Sequence, residues 1–132
     1  VMRDEEGPSL RFELEDRESG PYRALWEDRE EPTMGVRTRV LVIQGRHRAL
    51  RRYLEEAPDF PGQNQPWTRL VIAEIIADNV CREIARRVDA LRSEEDRPDS
   101  EGFYAEHYGR MHRILPRLQQ LMLPTTPPPS VT

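Results

Sequence analysis

A long amphipathic segment, residues 67–93, constrains this chain more than any other feature. Its apolar side chains recur at steps of three and four, the period of one helix face. They are Leu70, Ala73, Ala77, Val80, Ile84, Val88 and Leu91. The pattern predicts a helix of about 25 residues, which is about 40 Å long at the α-helical rise. A helix of this length needs a partner along its apolar side.

A second segment, residues 101–122, has the pattern of such a partner. Its apolar positions also repeat by fours and threes: Tyr104, Tyr108, Met111, Leu115, Leu118 and Met122. Asp99 or Ser100 precedes it as a helix cap. The two segments therefore predict a hairpin of long helices packed along their lengths.

The residues before this hairpin follow the period of strands. Residues 9–15 alternate polar and apolar, residues 22–26 form a weaker candidate, and residues 36–43 are rich in β-branched side chains. We predict an α+β fold: a small antiparallel sheet (about 9–43) packed on a long two-helix hairpin (about 67–93 and 101–122), with a short helix (about 46–56) between them.

Domain organisation follows from length and composition. The 132 residues allow one modest domain, which we place at residues 1–123. Residues 124–132 contain four prolines and no charge, so they predict a polyproline-type tail or linker. Valine at position 1 and this proline-rich end favour a fragment of a longer protein.

Composition also excludes several classes of protein. No run approaches the roughly 18 apolar residues of a membrane helix, and the acidic N-terminus lacks the zones of a secretory signal, so we expect a cytoplasmic protein without membrane contact. The single cysteine, Cys81, excludes an internal disulfide and a multi-thiolate metal site. Because Cys81 lies on the apolar stripe, we expect a small buried side chain.

The charge distribution suggests a binding surface. Residues 37–52, here called the basic block, contain six arginines and no acid, whereas residues 1–31 carry eleven acids against five arginines. The candidates for contact with phosphate or nucleic acid are Arg46, His47, Arg48, Arg51 and Arg52. The other interpretation is that the acidic N-terminal part lies against the block, or that the block is a solvated face.

The sequence predicts no catalytic, metal or cofactor site, so we expect a protein that is not an enzyme. His107 and His112 are five residues apart, which places them about 140° apart around a helix, too far for one zinc ion. The glycine spacings of phosphate-binding loops do not occur in the chain. Glu74 and Asp78, one turn apart on the long helix, are expected to form a polar stripe that pairs with Arg82 or Arg69; the alternative is a carboxylate pair for acid/base chemistry or metal binding.

Part of the chain also resembles a segment of a known protein family. Residues 40–54 and 70–78 resemble a segment toward the C-terminal end of large bacterial proteins with a gyrase, histidine-kinase and Hsp90-like (GHKL) ATPase domain. There, a strand leads through an Asn-x-x-His-Pro junction into a short and then a long helix with Ala-Glu near its start. Here His47 matches the histidine, Gln44 stands near the asparagine, and Arg48 replaces the proline.

The resemblance covers about residues 36–122 and implies the non-catalytic end of a larger machine. The family's ATP-binding elements have no counterpart in this chain, so no nucleotide-binding residue is carried over.

These observations predict an interaction or self-association module, because two long apolar stripes exceed what one short sheet covers. Its partner would be a second copy or domains of a parent protein, with Trp67, Tyr104, Tyr108 and Met111 as interface residues. The alternative is a nucleic-acid-binding accessory domain that uses the basic block and whose affinity falls steeply with salt.

Overall fold

The computed structural model describes residues 11–30, 35 and 37–123. The chain divides into two compact units, Val1–Asn64 and Gln65–Thr132, here called the sheet unit and the helix unit. The fold is α+β, with a small sheet and a long helix pair, as the sequence predicts. The single domain over residues 1–123 stays a prediction. The expected tail at 124–132 and strand residues 9–10 lie outside the described residues.

The sheet has three strands, β1 (Arg11–Glu15), β2 (Ala24–Glu30) and β3 (Arg37–Gln44), in the order β1-β3-β2. β3 runs antiparallel to β2 but parallel to β1, with Phe12 opposite Leu41. The sheet is therefore mixed, and the antiparallel prediction is wrong for β1. The reason is that residues 16–23 cross over the end of β3, which takes the place between the first two strands.

β3 is central because its side chains suit a position buried on both faces. Its residues from Val40 to Ile43 have no exposed surface. Since neighbouring residues in a strand point to opposite faces, both sides of β3 are covered. The outer strands β1 and β2 carry the charged residues, which is typical of sheet edges.

An arginine covers one face of this sheet. Arg29 on β2 pairs with Glu13 and Glu15 on β1, although β3 lies between the two strands. The register places Val40 and Val42 on the same face as these charged residues. The Arg29 side chain therefore spans the central strand and shields its valines from water.

The short helix is shorter than predicted. α1 runs from Arg51 to Leu54, not over residues 46–56. The preceding residues form turns in which the backbone of His47 is bonded to Gln44 and Leu50, so the helix begins later. It ends because Glu55 adopts a positive φ of 67°. A 3-10 turn, Pro61–Asn64, closes the unit.

The helix unit consists of α2 (Pro66–Leu91) and α3 (Ser100–Met122), joined through a 3-10 turn at Glu94–Asp96. Both helices lie where the sequence predicts them. Asp99 caps α3 by accepting a hydrogen bond from the Gly102 backbone at 2.8 Å. The buried side chains of α2 are Thr68, Ile72, Ala73, Ile75, Ile76, Ala77, Cys81 and Ala85.

α3 does not face α2 with the whole predicted stripe. Tyr104 and Tyr108 are 58% and 67% exposed. Leu118 and Met122 of the predicted stripe are buried, but in the N-terminal half of α3 the less exposed positions are Phe103 and His107, one residue before the tyrosines. That offset is a rotation of about 100°. The prediction that the tyrosines pack against α2 is therefore wrong, because charged partners on α2 draw a polar stripe inward, as described below.

Candidate functional site

Part of the basic block is paired with the acidic N-terminal part. Arg46 donates from Nε and from one terminal nitrogen to the two carboxylate oxygens of Asp16, and this hydrogen bonding holds the pKa of Asp16 below its usual range. Arg39 lies 3.8 Å from a carboxylate oxygen of Asp28 and 5.2 Å from the ring centre of Trp26. These contacts are those expected if the acidic part lies against the block.

The remaining arginines of the block face solvent. Arg48, Arg51 and Arg52 are exposed, and no carboxylate within the described ranges pairs with them. Arg51 lines a cleft of about 530 Å³. The other lining residues are Glu18, Gly45, Arg46, Glu55, Glu56, Ala57 and Phe60. With three carboxylates beside two arginines, the cleft is poorly suited to a phosphate group.

His47 is used in backbone contacts. Its Nε2 lies 2.8 Å from the Pro21 carbonyl oxygen, and its Nδ1 accepts a hydrogen bond from the Ala49 backbone at 3.1 Å. Because Nδ1 accepts, the ring proton lies on Nε2 and is donated to Pro21. His47 therefore fastens the crossover loop, residues 16–23, to the turn after β3.

Gln44 has a related role that sequence reasoning missed. The side chain is fully buried at the end of β3, and its amide donates to the carbonyls of Ser19 at 3.0 Å and Tyr22 at 2.5 Å. These two bonds hold the crossover loop over the strand end. The available signal was a polar residue directly after four apolar ones, since such a group is buried only with partners.

In the helix unit, polar side chains considered in the sequence analysis, His107 and Asp78, connect the two helices. Nε2 of His107 on α3 lies 3.1 Å from Oδ1 of Asp78 on α2, and Arg82 donates to the same oxygen at 3.2 Å. The predicted pair of Asp78 with Arg82 is therefore confirmed. The side chains of His107 and Asp78 are 13% and 19% exposed, so this contact lies largely within the hairpin.

A second ionic contact lies toward the loop between the helices. Arg92 binds both carboxylate oxygens of Glu106, at 2.9 and 3.1 Å. This hydrogen bonding lowers the pKa of Glu106. Together with the contact of His107, it orients α3 so that its polar stripe faces α2.

The structure shows no reactive constellation around these groups. Cys81 is fully buried, as predicted, and burial raises the pKa of its thiol, which disfavours the thiolate. His112 is exposed on α3, away from the contact of His107. Within the described part of the chain, no three His, Cys, Asp or Glu side chains are grouped to hold a metal ion.

One exposed flank of α3 carries large aromatic and apolar side chains. Tyr104, Tyr108, Met111 and Leu115, here called the tyrosine face, follow one another at steps of four, three and four. The two tyrosines are mostly exposed, and Met111 and Leu115 are partly exposed. Trp67, the other predicted interface residue, is 58% exposed at the start of α2.

Two depressions adjoin the N-terminal end of this face, and both are lined by Phe103 and Tyr104, whose rings meet edge to face at 5.9 Å. The first, of about 280 Å³, is completed by Arg82 and His107. The second, of about 220 Å³, is completed by Pro98, Asp99 and Ser100. We call the pair the aromatic groove.

Comparisons with known proteins give no family for this chain: no protein-family model, curated protein or solved structure matches it. The resemblance to the GHKL-associated segment therefore stays a prediction. No helix among the described residues combines the length and the apolar character needed to cross a lipid bilayer.

Proposed function

We propose that this chain is a non-catalytic interaction module that pairs with a second copy of itself through the tyrosine face. The observation that carries the proposal is the exposure of Tyr104 and Tyr108, one turn apart on the same flank of α3. Large aromatic side chains in neighbouring exposed positions are typical of contact surfaces, and tyrosine is enriched among residues that dominate binding energy.

The spacing of the tyrosine face supports a second copy as the partner. Steps of four, three and four read the same in both directions along the helix. In an antiparallel pair of α3 helices, Tyr108 of one copy would therefore face Met111 of the other, and Tyr104 would face Leu115. Such an arrangement has the two-fold symmetry of common homodimers. The thioether of methionine also packs favourably against an aromatic ring.

The test is the oligomeric state of the full chain, measured by size-exclusion chromatography with light scattering across micromolar concentrations. We expect a dimer whose dissociation constant rises about tenfold or more in Tyr108→Ser, which corresponds to about 1.4 kcal/mol or more. The matched control is Tyr22→Ser, because Tyr22 is 60% exposed in the sheet unit. A strictly monomeric chain, or equal dimerisation of both variants, contradicts the proposal.

Nucleic-acid binding by the basic block is the second candidate. The observation in its favour is the exposure of Arg48, Arg51 and Arg52. It predicts affinity for a duplex that falls steeply with salt and is lost when these arginines become glutamates. The dimer proposal predicts neither effect, and the pairing of Arg46 with Asp16 leaves fewer positive charges for a phosphate backbone.

We also propose that the module belongs to a cytoplasmic bacterial protein with an adjoining ATPase domain. The support is the resemblance of residues 36–122, in which His47 matches the family's histidine. In such a protein, dimerisation by this module would bring two ATPase domains together. The coding sequence next to this segment tests the proposal, which fails if no ATPase domain adjoins it.

A further inference from the structure

We propose that the aromatic groove binds a proline-rich segment, and that its occupant is residues 124–132 of a second copy of this chain. The inference rests on the proposed self-association and names the additional surface which that dimer uses. It combines three observations: the size of the tyrosine face, the chemistry of the groove, and the reach of the proline-rich residues.

The tyrosine face is too small for a stable dimer by itself. It extends from Tyr104 to Leu115, twelve residues or about 17 Å of helix, and a helix is about 10 Å wide. A standard interface takes roughly 800 Å² from each partner. The strip supplies only a fraction of this area, so a dimer formed through α3 requires a further contact next to it.

The chemistry of the aromatic groove suits proline. A proline-rich chain presents apolar pyrrolidine rings, which pack on aromatic side chains, and its extended form loses little entropy on binding. Phe103 and Tyr104 line both depressions, so their rings separate two neighbouring sites as ligand residues would require.

The polar groups beside the groove complement the same ligand. Proline lacks an amide proton, so the run from Pro127 to Pro129 offers backbone carbonyl acceptors and no backbone donor. Arg82, which lines the larger depression, uses Nε for Asp78. Its terminal nitrogens make no hydrogen bond to the described residues and remain as donors. Residues 124–132 carry no charge that would repel them.

The occupant must come from another copy, because the distances do not allow the chain's own tail. Tyr104 lies about 28 Å before Leu123 along α3, at 1.5 Å per residue. Pro127 and Pro129 follow Leu123 by four and six residues, and chain segments of that length span at most about 14 and 22 Å. The central prolines therefore stop short of the groove of their own chain.

In the antiparallel dimer the distances do fit. Its axis passes midway between Tyr108 and Met111, so Leu123 of one copy lies about 20 Å from that centre. Ser100 of the other copy lies about 14 Å from the centre in the same direction. Leu123 of one copy thus lies about 6 Å beyond Ser100 of the other along the helix axis, within reach of the residues that follow it, and each copy would fill the groove of the other.

A labelled peptide with the sequence of residues 124–132 tests the groove directly. Titrated against the full chain carrying Pro127→Ala, Pro128→Ala and Pro129→Ala, it should give saturable fluorescence anisotropy with a micromolar dissociation constant. Tyr104→Ser in the same background should weaken binding about tenfold or more. The control Tyr22→Ser, distant in sequence and in the sheet unit, should not. Absence of saturable binding at millimolar protein overturns the proposal.

The dimer itself separates this proposal from the proposed function. The triple proline variant should raise the dimer dissociation constant about tenfold, whereas Ser130→Ala with Thr132→Ala, in the same segment, should leave it unchanged. If Tyr108→Ser weakens the dimer and the triple variant does not, self-association stands and the tail is not its occupant. If the unaltered chain is monomeric, the proposed function fails, and with it the second copy as occupant.

Discussion

The sheet unit and the helix unit use their charged residues in opposite ways. In the sheet unit, Arg17 and Arg29 bind Glu13, Glu15 and Glu27 on an outer face of the sheet. This network covers apolar strand residues from the outside. In the helix unit, the contacts of Asp78 with His107 and of Glu106 with Arg92 join the two helices. In the helix unit these charged side chains connect α3 to α2 and the segment after it, whereas Tyr104 and Tyr108 face solvent.

This difference explains why the exposed aromatic side chains of α3 lie in the helix unit. A sheet face shielded by paired charges offers little apolar area to a partner. In the N-terminal half of α3, where Glu106 and His107 bind groups on α2 and the segment after it, Tyr104 and Tyr108 are left facing solvent. The exposed surface on which the proposed self-association rests is thus a consequence of how the polar groups of the helix unit are satisfied.

The largest effect on the free energy of unfolding is expected at Gly62 in the sheet unit, and Gly109 in the helix unit provides the comparison. A Cβ atom at Gly62 would lie 1.9 Å from the Tyr53 carbonyl oxygen, so Gly62→Ala must displace backbone in the sheet unit. We expect a loss of about 3 kcal/mol in the free energy of unfolding, the upper range for overpacking. At Gly109 on α3 a Cβ meets nothing within 4 Å, and alanine there should stabilise by up to about 1 kcal/mol.

Urea denaturation of the two variants, followed by far-ultraviolet circular dichroism, measures both changes. Gly109→Ala serves as the matched control, since it adds the same methyl group to an open helical position. Equal destabilisation by both substitutions would mean that the tight packing described for the sheet unit is not specific to it.

The local features of the fold follow from sequence, whereas the pairings between distant residues do not. The bounds of α2 and the Asp99 cap depend on neighbouring residues, and their patterns are explicit. The orientation of α3 depends on which of two stripes, about 100° apart, faces α2. Apolar content favours the stripe with Tyr108, but the contact of His107 with Asp78 favours the other, and that contact spans 29 positions in sequence.

In the sheet, too, the direction of a strand depends on residues distant in sequence. The alternation in residues 9–15 predicts a strand but not its direction, because a strand has the same period in parallel and antiparallel pairs. The direction depends on the path of residues 16–23, which the buried amide of Gln44 secures. Neither the burial of Gln44 nor its partners has a local signal beyond its position after an apolar run.

An intermediate effect is expected from Gln44 itself. Gln44→Met keeps the size of the side chain but removes the donor to the Ser19 and Tyr22 carbonyls. Losing these buried bonds should cost about 2 kcal/mol. Gln63→Met is the control, because the hydrogen bond from the Gln63 side-chain amide to the Asp59 carbonyl oxygen is exposed. If both variants unfold at the same urea concentration, Gln44 does not hold the crossover loop.

The smallest effect is a change in the stability of the sheet unit with pH, which depends on the carboxyl groups that pair with Arg29. Burial opposes ionisation of Glu13, but hydrogen bonds and charges from Arg29 outweigh it and lower its pKa. Hydrogen bonding from Arg17 and Arg29 lowers the pKa of Glu27. A group with a lowered pKa stabilises the fold above its unfolded value of about 4.3, and this stabilisation disappears as the pH falls through the folded value.

Acid should therefore remove the advantage that Arg29 gives to the sheet unit. At neutral pH, Arg29→Met leaves the facing carboxylates Glu13 and Glu27 without their shared cation, so the variant should be less stable than the unaltered chain. Below about pH 4, where carboxyl groups take up protons, the difference should shrink. The fluorescence of Trp26, in a Trp67→Phe background, reports on the sheet unit during urea unfolding at each pH. If the difference in stability between the two proteins stays constant from neutral to acidic pH, the Arg29 network covers the valines of β3 through packing alone. The contrast with the helix unit would then not be electrostatic.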